Sequence, residues 1–377
     1  MNWDFVYDQY LVNKEMIWLN NCGTTPAGIH VTQAMKAYMD DYARMGVSMP
    51  LAQTNDVPNA IKGILARELH CDADELAIIH NTSEGMNFVS HGLSLRQGDE
   101  IILLEHEYPS NVYPWWHWKK KGIQIKTAPV GESPEEFLCG LKKLLTPKTK
   151  VVAVSAVHWC TGMPLPLEDI GLLCRDRGID FVLDGAQGVG LVPIDTKKCH
   201  ISYMAFSAWK WLMGPLGLGM MYVPKENLNR LELAFWGTNS VADDKQYLPY
   251  KAELKTNADR FTFSSENYND WVYFKASLEF LDSIGFKNVM NRILELANHL
   301  REGLRSIGYK VYSDRFSSHA TGIVACEKEG RSSTQLVTSL KEQKIVMADR
   351  LARVRMSPHV YNSKAQLEKV VDVLARI

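Results

Sequence analysis

Along the first two thirds of the chain, short apolar runs alternate with stretches in which apolar residues recur every three or four positions. An apolar run of about four to eight residues bounded by turn residues predicts a buried strand, and the longer spacing predicts an amphipathic helix. The predicted strands are Leu76–Ile79, Glu100–Leu104, Ile123–Thr127, Val151–Ser155, Asp180–Leu183, Tyr203–Phe206 and Gly217–Val223. Helices are predicted between them, at Ser83–Leu95, Pro134–Leu145 and Leu167–Arg177. This alternation predicts an α/β fold with a mostly parallel sheet covered by helices on both faces. Such sheets take their ligands at the carboxyl ends of the strands. Thr82, Tyr108, Trp159, Asp184 and Ser207–Lys210 all fall just after predicted strands, so distant segments are expected to converge on one edge.

After about residue 265 the pattern changes. Long helical periods at Asn269–Ile284 and Phe286–Ile307 lead into short apolar segments at Val311, His319–Ala325, Lys344–Met347 and Leu351–Met356, with helices at Ser333–Lys341 and Ser363–Ile377. This predicts a smaller α+β domain at the C-terminus. The expected organisation is an N-terminal arm (1–20) packing with the small domain, a large domain (21–265) and the small domain (266–377). Gly237–Arg260 is polar and aromatic without a clear period, and is expected to be a long loop over the site or at an interface.

Composition narrows the class. With 377 residues, 46% of them hydrophobic, the chain can bury a large core. A net charge of -1 with scattered Lys and Arg gives no footprint for nucleic acid or a membrane surface. The start, Met1-Asn2-Trp3-Asp4-Phe5, has neither the basic nor the apolar region of a secretory signal, and no apolar run approaches the roughly 18 residues of a membrane span. Seven dispersed Cys without a C-x-x-C pair suit reduced thiols, so a cytoplasmic location is expected. The chain has no His-Glu-x-x-His and its eleven His lack ligand spacing, so no metal is expected. Ten Trp are unusual for this length, and several, including Trp159, Trp209, Trp211 and Trp236, fall near candidate site segments.

The candidate chemistry centres on Lys210, in Ser207-Ala208-Trp209-Lys210-Trp211, and on Asp184, in Leu183-Asp184-Gly185-Ala186-Gln187. An apolar setting favours the neutral amine of Lys210, which suits a Schiff base. An Asp at the end of an apolar strand and a Lys beyond a second strand are what pyridoxal 5'-phosphate (PLP) requires: the Lys for the cofactor aldehyde, the Asp to keep the pyridine nitrogen protonated. Taken alone, Asp184 reads equally well as a helix cap. Gln187 is placed to reach the ring hydroxyl. Asn81-Thr82-Ser83-Glu84-Gly85 opens a helix after a strand, where Thr82 or Ser83 either caps the helix or, with the free N–H groups, holds phosphate. Ser207 and Trp209 offer further phosphate donors. Tyr108, or alternatively His106, offers a ring to stack on the pyridine. Arg353 and Arg355 share one face if their segment is a strand, and Arg355 suits the carboxylate of an amino-acid substrate. Trp159 and Trp236 are candidates for the pocket wall.

Together these residues resemble the class V aminotransferase family, the cysteine-desulfurase-like branch of the fold-type I PLP enzymes. The resemblance covers nearly the whole chain, through Asn20-Asn21-Cys22-Gly23-Thr24-Thr25-Pro26, Thr82-Ser83-Glu84, Asp184-Gly185-Ala186-Gln187, Ser207-Ala208-Trp209-Lys210 and Arg355-Met356-Ser357. It implies Lys210 as the Schiff-base Lys, Asp184 as the ring-nitrogen partner and Gln187 as the ring-hydroxyl contact. It further implies Thr82, Ser207 and Trp209 on phosphate, Tyr108 stacked on the ring and Arg355 on the substrate carboxylate. The resemblance also implies a homodimer with shared sites, in which Ser265 reaches the partner's phosphate; the family usually has Gly-Thr where this chain has Ser264-Ser265. Two departures stand out. Trp209 replaces the usual His, and the stretch Ile345–Arg355 lacks the nucleophilic Cys of the desulfurases, the nearest upstream being Cys326. The relatives without that Cys are C–S lyases, epimerase-like proteins, kynureninase-like hydrolases and transaminases. The segment Val157–Pro166 resembles the C–S lyase and epimerase-like members. The expected function is therefore action on an L-amino acid through an external aldimine and α-proton abstraction, with β-elimination from a cysteine-derived substrate first. An aminotransferase or epimerase comes next, and a non-catalytic scaffold last.

Overall fold

The computed structural model describes residues 1–46 and 56–377. A two-residue strand, β1 (Ile17–Trp18), precedes a seven-stranded sheet of β2 (Leu76–Ile79), β3 (Glu100–Leu104), β4 (Gln124–Ala128), β5 (Thr149–Ser155), β6 (Asp180–Asp184), β7 (Tyr203–Ser207) and β8 (Gly219–Tyr222). The spatial order is β2-β8-β7-β6-β5-β3-β4, and β8 alone runs against the others. Strict alternation divides the strands between two cores. Ile102, Val152, Val154, Leu183, Met204 and Phe206 face one. Ile101, Leu103, Val151, Ala153, Val182 and Ala205 face the other. Both faces are dry, which is why these strands read as continuous apolar runs.

Strand boundaries differ from the expected ones where another bond captures the backbone. The Ile123 amide donates to the Trp118 carbonyl, so β4 starts at Gln124. Gly217, with φ +97, turns the chain before β8. The edge strand β4 carries polar residues, whereas the β2 edge is covered by the short helix Ala258–Phe261 at the end of the aromatic loop. The Thr262 hydroxyl there donates to the Ile78 carbonyl at 2.9 Å. This end of the loop thus closes a sheet edge.

A second, antiparallel sheet has the order β12-β13-β10-β9, from β9 (Lys310–Val311), β10 (Val324–Glu327), β12 (Ala348–Arg350) and β13 (Arg353–Met356); β11 (Ile345–Val346) pairs in parallel with β1. Of the apolar segment His319–Ala325, only Val324 and Ala325 join a strand. The buried Arg301 guanidinium takes the Thr321 and Ile323 carbonyls, a short helix occupies Tyr312–His319, and pairing begins only at Val324. The Phe286–Ser306 helix ties the two cores together. Its first half (Phe286, Val289, Ile293) packs under the large sheet, and its second (Leu296, Leu300, Leu304) packs under the small one, with Ile17 and Leu19 of the N-terminal segment. Among the described residues no helix is long and apolar enough to cross a membrane.

Candidate active site

The carboxyl ends of the parallel strands meet as expected. After β2 comes the helix Thr82–Gly92, capped by the Asn81 side chain on the Glu84 amide. The cap is therefore neither Thr82 nor Ser83. The Thr82 hydroxyl instead lies 2.7 Å from the Ser207 hydroxyl at the end of β7. These two hydroxyls and the open first turn of the helix form a cradle suited to a phosphate.

Asp184 ends β6, paired with Ser155 and Ala205 on either side. Its carboxylate accepts from the Ala186 amide at 2.9 Å and the Ser110 hydroxyl at 3.3 Å. Burial pushes this carboxyl up, and Lys210, the Ala186 amide and Ser110 pull it back. Lys210 is buried, and that burial lowers its amine against the opposing pull of Asp184. The Lys210 backbone is held by the Thr25 hydroxyl on its carbonyl at 2.7 Å. Gln187 bridges the Cys22 carbonyl and the Trp211 indole, at 3.0 and 2.9 Å, fixing the loop after Lys210 against the N-terminal segment.

A cavity of about 430 Å³ lies over these groups, lined by residues that include Thr82, Ser83, Tyr108, Gln187, Ser207, Trp209, Lys210 and Arg355. Lys210 Nζ sits 5.4 Å from the Tyr108 ring centroid. Tyr108, and not the exposed His106, lines the cavity. Trp159 packs edge-on against Tyr108, its indole donating to the His106 carbonyl at 2.7 Å. Arg355, 2% exposed on β13, donates to the Trp159 carbonyl at 2.7 Å, while its buried Nε has no partner. Ser265 lies elsewhere, exposed in a separate groove with His80, Glu84 and Asp270, and Trp236 is exposed away from the cavity.

Three participants escape sequence reasoning. Glu107 is buried beside Asp184, accepting from the Ser155 amide at 2.8 Å and the Tyr108 amide at 2.7 Å. Burial, then the Asp184 charge, raises its carboxyl to about 7. Cys22 and Arg350 also line the cavity. The only sequence hints were that Glu107 and Cys22 sit inside motif segments, and that Arg350 lies five residues before Arg355.

The residues fit PLP. A buried amine, a buried carboxylate, a ring wall, a hydroxyl-and-amide cradle and a carboxylate-seeking guanidinium with a free Nε surround one cavity.

Comparison with known proteins agrees with this geometry. The class-V aminotransferase family pattern matches residues 17–370. A probable cysteine desulfurase of Pyrococcus abyssi is 27% identical, covering 97% of this chain and 95% of that protein. The apo structure of a cysteine desulfurase from Thermococcus onnurineus NA1 superposes with a TM-score of 0.89 at 25% identity, over 99% of this chain and 97% of that one. A cystine C–S lyase in complex with its product, cysteine persulfide, has the same fold, with a TM-score of 0.89 at 23% identity over 96% of this chain and 97% of that one.

Proposed function

We propose, from the premise that this chain belongs to the class-V aminotransferase family of PLP-dependent enzymes, that it is a C–S lyase acting on a cysteine-derived L-amino acid. The observation that carries the reading is a complete amine–carboxylate–guanidinium set without a deliverable thiol. Where a desulfurase needs its nucleophilic Cys, this chain has the two-residue turn Leu351-Ala352 between β12 and β13. Burial raises the thiol of Cys326 to about 12. Cys22 lines the cavity but is itself buried, its backbone clamped between the Ser357 hydroxyl and the Gln187 amide. Cys22 is thus fixed by its backbone in the cavity wall and is not carried on a loop that could bring it out to an acceptor.

PLP, when bound, supplies an aldehyde for the substrate amine and a ring that stores the electrons left by the α-proton. Lys210, lowered by burial, is the base that takes that proton. Asp184, at the end of β6 beneath Ser110, provides the negative charge that keeps a ring nitrogen protonated. Thr82, Ser83, Ser207 and Trp209 take the phosphate, and Tyr108 covers the ring. Arg355 orients the substrate by its carboxylate. With the proton held on Lys210 available to the departing sulfur, β-elimination would release the thiol and 2-aminoacrylate, which water would convert to pyruvate and ammonia. Ser265, remote from this cavity, serves the phosphate of a second copy in a homodimer.

The test is pyruvate release from L-cystine, L-cysteine and an S-alkyl cysteine sulfoxide by PLP-loaded enzyme, beside Lys210→Ala. Release that disappears in the variant is the expected result. No release with the cofactor absorption band intact would overturn the lyase reading in favour of amino transfer or epimerisation.

A further inference from the structure

On its small-domain side the cavity is lined by two guanidiniums, of Arg350 and Arg355, that have no carboxylate partner. Arg350, Arg353 and Arg355 fall within six residues on β12 and β13, with Arg350 directly opposite Arg353 in the register. Like charges opposite each other weaken a strand pair, and the buried guanidinium of Arg355 without an anion is costly; Arg350 and Arg353 are half-buried. Among the described residues, none of the three forms an ion pair.

Their surroundings separate them. The Arg353 guanidinium stacks 3.8 Å from the Tyr312 ring centroid, and the Tyr312 hydroxyl donates to Glu327 at 3.0 Å, so Arg353 is compensated from behind the sheet. Arg355 and Arg350 face the cavity. The Arg350 side chain makes one hydrogen bond, from Nη1 to the carbonyl of its neighbour Asp349 at 2.7 Å. Asp184 lies against Lys210 on the large-domain side of the cavity, whereas Arg350 and Arg355 on the small-domain side have no carboxylate beside them in its lining.

The turn that sets Arg350 in place is itself strained. Leu351 and Ala352 both have positive φ, 49° and 60°. Such a turn favours Gly or Asn, and holding other residues there costs on the order of 1 kcal/mol each. Strain and unpaired charge at one point indicate that position was favoured over stability.

We infer that Arg350 is a specificity residue that binds a second carboxylate, on the side chain of the amino-acid substrate. The cofactor phosphate has the Thr82–Ser207 cradle and the α-carboxylate has Arg355. Arg350 remains for an acidic group carried beyond the Cβ–S bond. The inference rests on the reading of this cavity as the amino-acid site and sharpens the substrate class to cysteine derivatives with a carboxylate on the leaving group.

The test compares S-carboxymethyl-L-cysteine with its neutral isostere S-carbamoylmethyl-L-cysteine on PLP-loaded enzyme. Binding is read from the cofactor absorption change and turnover from pyruvate. One charge-assisted contact predicts that the acid binds about 10- to 100-fold more tightly than the amide. Arg350→Gln should bring that ratio near unity, and Arg350→Lys should restore part of it. Equal binding of the two ligands by the native enzyme, binding of neither, or a ratio that Arg350→Gln leaves unchanged would each overturn the inference. A binding preference without pyruvate would sink the lyase reading and leave the Arg350 assignment standing.

Discussion

Glu107, just after β3, and Asp184, at the end of β6, are buried carboxyls on either side of β5, and both cannot be charged at low cost. Burial raises Glu107 to about 7, the Asp184 charge adds to the rise, and bonds from Ser155 and Tyr108 oppose it. A carboxyl raised by folding stabilises the fold in its protonated form. That contribution is whole below the ordinary carboxylate range and is lost as pH climbs through about 7. Glu107→Gln removes the titration. In cofactor-free protein, the stability of the native chain relative to Glu107→Gln should be greatest near pH 5 and fall by about 1–3 kcal/mol towards pH 8, read from urea unfolding. A difference that stays constant across that range would place the proton elsewhere. The sequence could not mark Glu107, because its role depends on Ser155, 48 residues later. Lys210, Asp184 and Thr82 were legible because each follows an apolar run that fixes where its strand ends.

The cradle around Thr82 depends on how closely the Thr82–Gly92 helix approaches β7. Gly85 permits that approach, since a Cβ there would come within 2.5 Å of the Ala205 Cβ. In an exposed helix, Gly→Ala gains about 1 kcal/mol, so here the contact decides the sign. Ala205 belongs to a strand paired on both sides, with β6 and β8, and so the helix must be what moves. Displacing it separates Thr82 from Ser207, now 2.7 Å apart. Gly85→Ala should lower the melting temperature, since overpacking costs about 1–3 kcal/mol, and weaken PLP binding by roughly tenfold in a fluorescence titration. Unchanged affinity would separate the helix approach from the phosphate site. At this scale the large sheet was legible almost strand for strand, because burial on both faces leaves unbroken apolar runs. The small sheet was not. Its strands are two to four residues long, and side chains such as Arg301 compete for their carbonyls.

Across the whole molecule, the aromatic loop and the two residues before it leave a surface rich in exposed large apolar side chains. Phe235, Trp236, Tyr247, Leu248 and Tyr250 are all exposed, Trp236 at 56% and Tyr250 at 91%. A concentration of large apolar side chains of this kind marks an interaction surface. Ser265 follows the same segment and lies in its own groove, away from Lys210. Covering the aromatic loop with a second copy is the arrangement in which Ser265 can serve a phosphate that its own chain does not hold. The native protein is therefore expected to sediment as a dimer, and Trp236→Glu combined with Tyr250→Glu as a monomer. If the site is shared, this monomer binds PLP more weakly although every residue of its own cavity is intact, and Ser265→Ala in the dimer weakens binding in the same direction. A monomer with native PLP affinity would mean that each chain builds its site alone, and that the aromatic surface holds the copies together without completing either one.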